Sequence, residues 1–165
     1  MNIYKTIKKN FFSKEIITPL LLVLFVFVLD RATKIAIVDH QLNNQSIFVN
    51  DYLNLELVWN TGIGFGLFSQ SANIYYHLIS LLIISVILLL IYLLTKAIYV
   101  EKILFSLILG GAVGNLYDRL IYFAVPDFID FHIKDFHWFT FNIADIFITL
   151  GIILIIAQDL IVKKK

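Results

Sequence analysis

Apolar positions in this chain fall into four long runs rather than the short alternations of a soluble domain. The first run covers 16–38 and stays apolar until Asp30, Arg31 and Lys34 near its end. The second covers 74–95, with little that is polar beyond His77, Ser80 and Ser85. The third covers about 103–125 and carries Asn115, Asp118 and Arg119, and the fourth covers about 141–162 and carries Asn142, Asp145 and Asp159. Each run is about 20 residues, which at ~1.5 Å per residue crosses ~30 Å of hydrocarbon. A lone strand leaves its backbone unpaired in lipid, so the runs predict four transmembrane helices.

The segments between the runs carry structure of their own. Residues 53–59 alternate apolar and polar, as a strand with one covered face does. Asn60-Thr61-Gly62-Ile63-Gly64-Phe65-Gly66 follows, and its glycines permit tight, positive-φ backbone. It is not a dinucleotide fingerprint, because GxGxxG is incomplete and no βαβ unit surrounds it. Segment 128–141 is dense in Phe128, Phe131, Phe136, Trp138, Phe139 and Phe141, which suits a membrane–water interface.

Composition strengthens this reading. Apolar residues make up 60% of the 165 and charged ones 15%, against about 45–50% and about 25% in ordinary soluble domains. A chain this small cannot bury that much apolar surface in a water-facing globule. The formal net charge of +1 gives no field that would draw nucleic acid. With no cysteine, disulfides, thiolate metal sites and a thiol nucleophile are excluded. No repeat or soluble linker interrupts the chain. The expectation is one domain, 1–165: an all-α membrane protein of four transmembrane helices, with a small extracytoplasmic β segment and an interfacial aromatic-rich segment.

The first run resembles a secretory signal, with Lys5, Lys8, Lys9 and Lys14 ahead of it. No small-x-small cleavage site follows and the run is long, so it reads as a retained helix. Those lysines, Lys96 and Lys102 after the second run, and Lys163, Lys164 and Lys165 after the fourth fall on one side of a four-span topology. That side is the cytoplasm, with both termini inside.

An ionisable residue within a span costs a few kcal/mol or more and is by default a functional candidate. Asn115 and Asp118, and again Asn142 and Asp145, stand at i, i+3 on one helix face. Both pairs lie toward the outer ends of their spans, as do Asp30 and Lys34 and, past Pro126, Asp127. Acids from separate elements therefore converge at one depth, which leaves carboxylate chemistry. Two carboxylates about 3 Å apart share one proton, so one acts as base on water and the other as acid toward a carbonyl. Asp118 and Asp127 are both candidates to partner Asp145.

Simpler readings compete. Asp118 and Arg119 read as a buried structural ion pair, and Asp30 with Lys34 as an interfacial one. Asn142 reads as a cap or an interhelical hydrogen-bonding group. His132 and His137 lack metal-ligand spacing and a third partner, so no metal site is expected. Asp51, Asp130 and Asp135 read as loop charges. A proton or ion transporter using Asp30, Asp118 and Asp145 as relay sites is the alternative function. It expects polar groups at several depths, and here they crowd one side.

Five blocks resemble the bacterial lipoprotein signal peptidase family (signal peptidase II): Leu29-Asp30-Arg31-Ala32-Thr33-Lys34, the Asn60–Gly66 stretch, Gly110-Gly111-Ala112-Val113-Gly114-Asn115-Leu116-Tyr117-Asp118-Arg119, Val125-Pro126-Asp127-Phe128-Ile129-Asp130 and Phe141-Asn142-Ile143-Ala144-Asp145. Their order and spacing are similar to the family's across nearly the whole chain. The resemblance implies an aspartic endopeptidase of the bacterial inner membrane that removes the signal peptide from diacylglyceryl-modified prolipoproteins. The cut falls before the lipidated cysteine, near the outer face. The resemblance also implies contact with membrane lipid, inhibition by globomycin and no cofactor. It makes Asp127 and Asp145 the catalytic pair, and sets Asp30, Lys34, Asn60, Gly62, Asn115, Asp118, Arg119, Asn142 and Ala144 around them. Segment 47–66 matches an outer substrate cradle. Pro126 departs from the family, where an aliphatic residue is more usual.

Overall fold

A computed structural model describes residues 13–41, 46–62 and 74–162. Four helices, α1 (Lys14–Gln41), α2 (Ile74–Lys96), α3 (Tyr99–Tyr122) and α4 (Ile143–Val162), carry most of the described chain. Four strands, β1 (Ile47–Asn50), β2 (Leu53–Asn60), β3 (Val125–Ile133) and β4 (Phe136–Phe141), form one antiparallel sheet in that order. The fold is therefore mostly helical rather than all-α. The aromatic-rich segment expected at the interface is the β3–β4 hairpin. The first strands of the cradle segment are present, and its residues 63–66 lie outside the described ones.

Among the described residues, three helices are long and apolar enough to cross a membrane: α2 over Tyr76–Lys96, α3, and α4 over Ile143–Ile161. The fourth long helix, α1, has 28 residues and holds Asp30, Arg31 and Lys34. Large apolar side chains such as Leu20, Phe25, Leu81, Leu88, Ile153 and Ile156 point outward. Asp30, Lys34, Asp118 and Asn142 are fully buried. A polar interior under an apolar exterior is what a lipid solvent selects, because charges there must face the bundle.

The α3 helix is the axis of the molecule, packed against α4, α1 and α2. Glycine allows the closest approaches. A Cβ at Gly110 would stand 2.7 Å from the Cβ of Val26 on α1, and one at Gly111 would stand 2.5 Å from the carbonyl oxygen of Ala144 on α4. Small residues at crossings replace hydrophobic collapse as the means of helix association in lipid. An apolar core of Ile87, Leu90, Ile108, Leu109 and Ala112 fills the α2–α3 side.

The third helix starts earlier than the apolar run suggests and stops at Tyr122, so Val125 belongs to β3. Phe123 ends it in the left-handed region (φ 55°), and Pro126 follows shortly after, both common helix-stop devices. The pairing of β3 with β2 begins at Val125 opposite Asn60, but its pairing with β4 begins only at Ile129 opposite Phe141. Pro126 thus sits where β3 has a strand on one side only, and there a missing N–H is tolerated.

One side chain fastens the sheet to α1. The β2–β3 register shifts between Leu55 and Val58. Gln41 at the end of α1 meets this irregularity with both ends of its amide. Its Nε2 donates to Leu55 O at 2.8 Å, and its Oε1 accepts from Leu57 N at 2.6 Å. Trp59 also packs against Tyr122 of α3, with ring centroids 5.8 Å apart.

Candidate active site

The site is built around the N-terminus of α4. A helix start leaves its first N–H groups without intrahelical partners. Asn142 is the cap. Its Oδ1 accepts from Asp145 N at 3.1 Å, and the Asp145 carboxylate reaches back to Asn142 N at 3.2 Å. This reciprocal pair has the form of a capping box, and it explains the Asn-x-x-Asp spacing. The next N–H, on Ala144, donates to Asp30 Oδ1 of α1 at 3.0 Å. A buried carboxylate from one helix therefore caps another, at the end where the helix dipole favours negative charge.

Asp127 is buried on β3 close to that helix start. Its Oδ1 accepts from Asn142 Nδ2 at 2.6 Å, and its Oδ2 accepts from Asn60 Nδ2 at 2.9 Å. Asn60 Oδ1 in turn accepts from Gly62 N at 2.9 Å, a local turn that fixes its side chain. Burial, and after it the charge of Asp145, push the Asp127 carboxyl up to about 6. Asp145 is held on its other side by Asn115 Nδ2, which donates to Asp145 Oδ1 at 2.8 Å. Asn142 also donates to Asn115 Oδ1 at 3.2 Å. Three asparagines thus hold the two acids.

A charge cluster lies behind Asn115. The ammonium of Lys34, fully buried, donates to Asp30 Oδ2 at 2.7 Å and Asn115 Oδ1 at 2.8 Å, and pairs with Asp118 Oδ2 at 2.8 Å. Arg31 pairs with the other oxygen of Asp118, and its guanidinium lies 4.9 Å over the Tyr117 ring. Two acids and two bases make the cluster neutral, which limits the cost of removing it from water. Gly114 makes room for it, since a Cβ there would stand 2.6 Å from Asp30 Oδ2.

Asp118 and Arg119 do not pair with each other. Adjacent positions on a helix point about 100° apart, and Arg119 turns toward the sheet. It donates to the carbonyl oxygen of Gly62 and lies 5.7 Å over the Tyr76 ring. Tyr76 Oη donates to Arg119 O at 2.6 Å. Among the described residues, Arg119 Nε and Nη1 are buried without hydrogen-bond partners. The Asp30–Lys34 pair is buried rather than interfacial.

All eleven residues singled out from the sequence (Asp30, Lys34, Asn60, Gly62, Asn115, Asp118, Arg119, Asn142, Ala144, Asp127 and Asp145) belong to one connected network. Sequence reasoning missed Arg31 as the partner of Asp118, although its place one turn before Lys34 puts it on the same helix side. It also missed that Asp130 is buried in β3 rather than a loop charge. Asp145 opens on an apolar groove of about 370 Å³ lined by Phe139, Phe141, Ile146, Leu150 and Ile153.

Comparison with known proteins agrees with the blocks. Residues 22–161 match a family model described as "Signal peptidase (SPase) II". The chain is 43% identical over 159 residues to the lipoprotein signal peptidase of Pelagibacter ubique, covering 95% of this chain and 93% of that one. It is 45% identical over 128 residues to the lipoprotein signal peptidase of Francisella tularensis subsp. novicida, covering 73% of this chain and 78% of that one. A solved bacterial membrane enzyme is similar in fold, with a TM-score of 0.74, 33% identity and 87% of each chain covered.

Proposed function

The chain belongs to the signal peptidase II family of aspartic peptidases, and from that premise we propose that Asp127 and Asp145 are the pair with which it cleaves prolipoproteins. The observation that carries this reading is the single asparagine between them. Asn142 touches both acids, so their relative position is set by one rigid group.

Asp145, held at the helix start by Asn142 and Asn115, acts as the base. Asp127 carries the proton. Water held between them attacks the scissile carbonyl carbon as Asp145 takes its proton, and Asp127 gives its own proton to the carbonyl oxygen. The resulting diol collapses. One hydroxyl returns a proton to Asp127, and Asp145 protonates the departing amine, so the pair ends as it began. Asn60, Asn115 and Asn142 hold the carboxylates, Lys34 and Asp30 hold Asn115 and the helix start, and Arg119 holds the Asn60–Gly62 turn.

The substrate is a diacylglyceryl-modified prolipoprotein cut before its lipidated cysteine. Such a substrate cannot leave the bilayer, and the apolar groove beside Asp145 fits a hydrocarbon occupant. In this reading α1 also spans the membrane, giving four spans in the bacterial inner membrane, with both termini cytoplasmic and the site near the outer face. Lys14, Lys96 and Lys102 support this orientation, and Lys5, Lys8, Lys9 and Lys163 to Lys165 lie outside the described residues. A transporter finds no support, because the buried charges gather around one helix end. The test is a gel-shift assay on a purified diacylglyceryl-modified substrate, with and without globomycin. Cleavage blocked by globomycin is expected, and an unshifted lipidated substrate would overturn the reading.

A further inference from the structure

The β3–β4 hairpin carries a second group of ligand-bearing side chains, separate from the acid pair. Asp130 and His132 project from β3 and His137 from β4, and His132 and His137 are register partners across the two strands. His137 Nδ1 lies 2.7 Å from Asp130 Oδ2 and His132 Nδ1 lies 3.5 Å from the same oxygen, with the imidazole rings stacked at 5.2 Å. One ligand atom from each of the three residues lies within 4.8 Å of the others. His132 is 8% exposed, yet its Nδ1 has no hydrogen-bond partner among the described residues. A buried ring nitrogen that makes no hydrogen bond, 3.5 Å from a carboxylate oxygen and beside a second imidazole, is an open ligand position.

We propose that Asp130, His132 and His137 form a binding site for a divalent metal ion of the zinc class. Two imidazoles and a carboxylate suit zinc, copper or nickel rather than magnesium or calcium, which take oxygen ligands. Tetrahedral ligands bonded at about 2.0–2.1 Å stand about 3.3 Å apart. The present spacings bracket that value, so a small opening of the His137–Asp130 contact admits the ion. Three protein ligands leave one position for water. The ion would staple β3 to β4 three residues beyond Asp127 and add stability to the hairpin by linkage. This proposal does not depend on the peptidase reading, because it concerns binding without substrate.

The test is isothermal titration of Zn²⁺ into the purified full chain in detergent, stripped with chelator and free of any histidine tag. One ion per chain is expected, with a zinc-induced rise in Tm. Binding weakens by more than about tenfold in His132→Phe and in His137→Phe. His137 is an exposed side chain, so the second variant remains decisive if the first does not fold. No saturable binding in the wild type, or unchanged binding in His137→Phe, would overturn the proposal.

Discussion

Asp127 and Asp145 are gripped by opposite ends of one amide. Asn142 Nδ2 donates to Asp127 Oδ1 at 2.6 Å, while Asn142 Oδ1 accepts from Asp145 N at 3.1 Å. Asn142→Ala removes both contacts and a helix cap together. The expected result is a fall in kcat of roughly a hundredfold, on the scale of losing one placed donor in a water-excluded site. The KM for lipidated substrate should change little. A variant with normal kcat would mean that the amide does not position the acids.

Asp127→Asn and Asp145→Asn are each expected to abolish cleavage while keeping a folded protein, since Asn can replace either acid in shape. Asp118→Asn leaves the pair intact, so it should lower Tm and retain measurable cleavage. Purified Asp127→Asn that still cuts, beside an inactive Asp118→Asn, would reassign the pair. Single-turnover assays in detergent distinguish the two.

The raised carboxyl of Asp127 predicts two pH effects. An acid raised from 3.8 to about 6 on folding makes the folded protein bind more protons than the unfolded chain between those values. Stability should therefore fall as pH rises through that window and level off above about 6. The group accounts for about 3 kcal/mol, present below the window and lost above it. Relative to Asp127→Asn, the wild type should lose Tm as pH is raised from about 4 to about 7. The kcat/KM of the free enzyme should fall on its alkaline side with an apparent value near 6, because the proton-carrying acid is lost. A profile flat through that range would contradict the assignment.

Lys34→Met leaves Asp30 and Asp118 without the cation they share. Breaking a buried ion pair from one side costs about 3–5 kcal/mol. A clear drop in Tm is expected, together with reduced activity, because Asn115 loses the donor that orients it toward Asp145. Arg31→Met should cost less, since the Arg31 side chain is partly exposed.

Gly114→Ala tests the same cluster sterically. The added methyl would press on Asp30 Oδ2 at 2.6 Å and displace it from Lys34 and Ala144 N. Overpacking of this kind costs about 1–3 kcal/mol, and thermal unfolding should show it. Gly114→Ala with an unchanged Tm would mean that α1 and α3 can separate freely.

The helices were legible because lipid imposes length and apolarity on a sequence directly. The strand at 53–59 was legible because apolar and polar residues alternate along it. The β3–β4 hairpin was not. Residues 125–128 are buried on both faces, so the period-2 alternation that marks a strand is missing there. Asn142 was readable as a cap from its spacing to Asp145. The partners of Asp118 were hidden because they lie on another helix: adjacency to Arg119 suggested a pair, whereas the direction of side chains along α3 separates the two. Asp130 reads as a loop charge because only the folded hairpin buries it and brings its carboxylate to His132 and His137.

The capping of Ala144 by Asp30 joins the first long helix to the last. The helix end that carries Asp145 is thus finished by an acid 114 positions earlier in the chain, so a change at Asp30 is felt at the start of α4 and not only in its own helix.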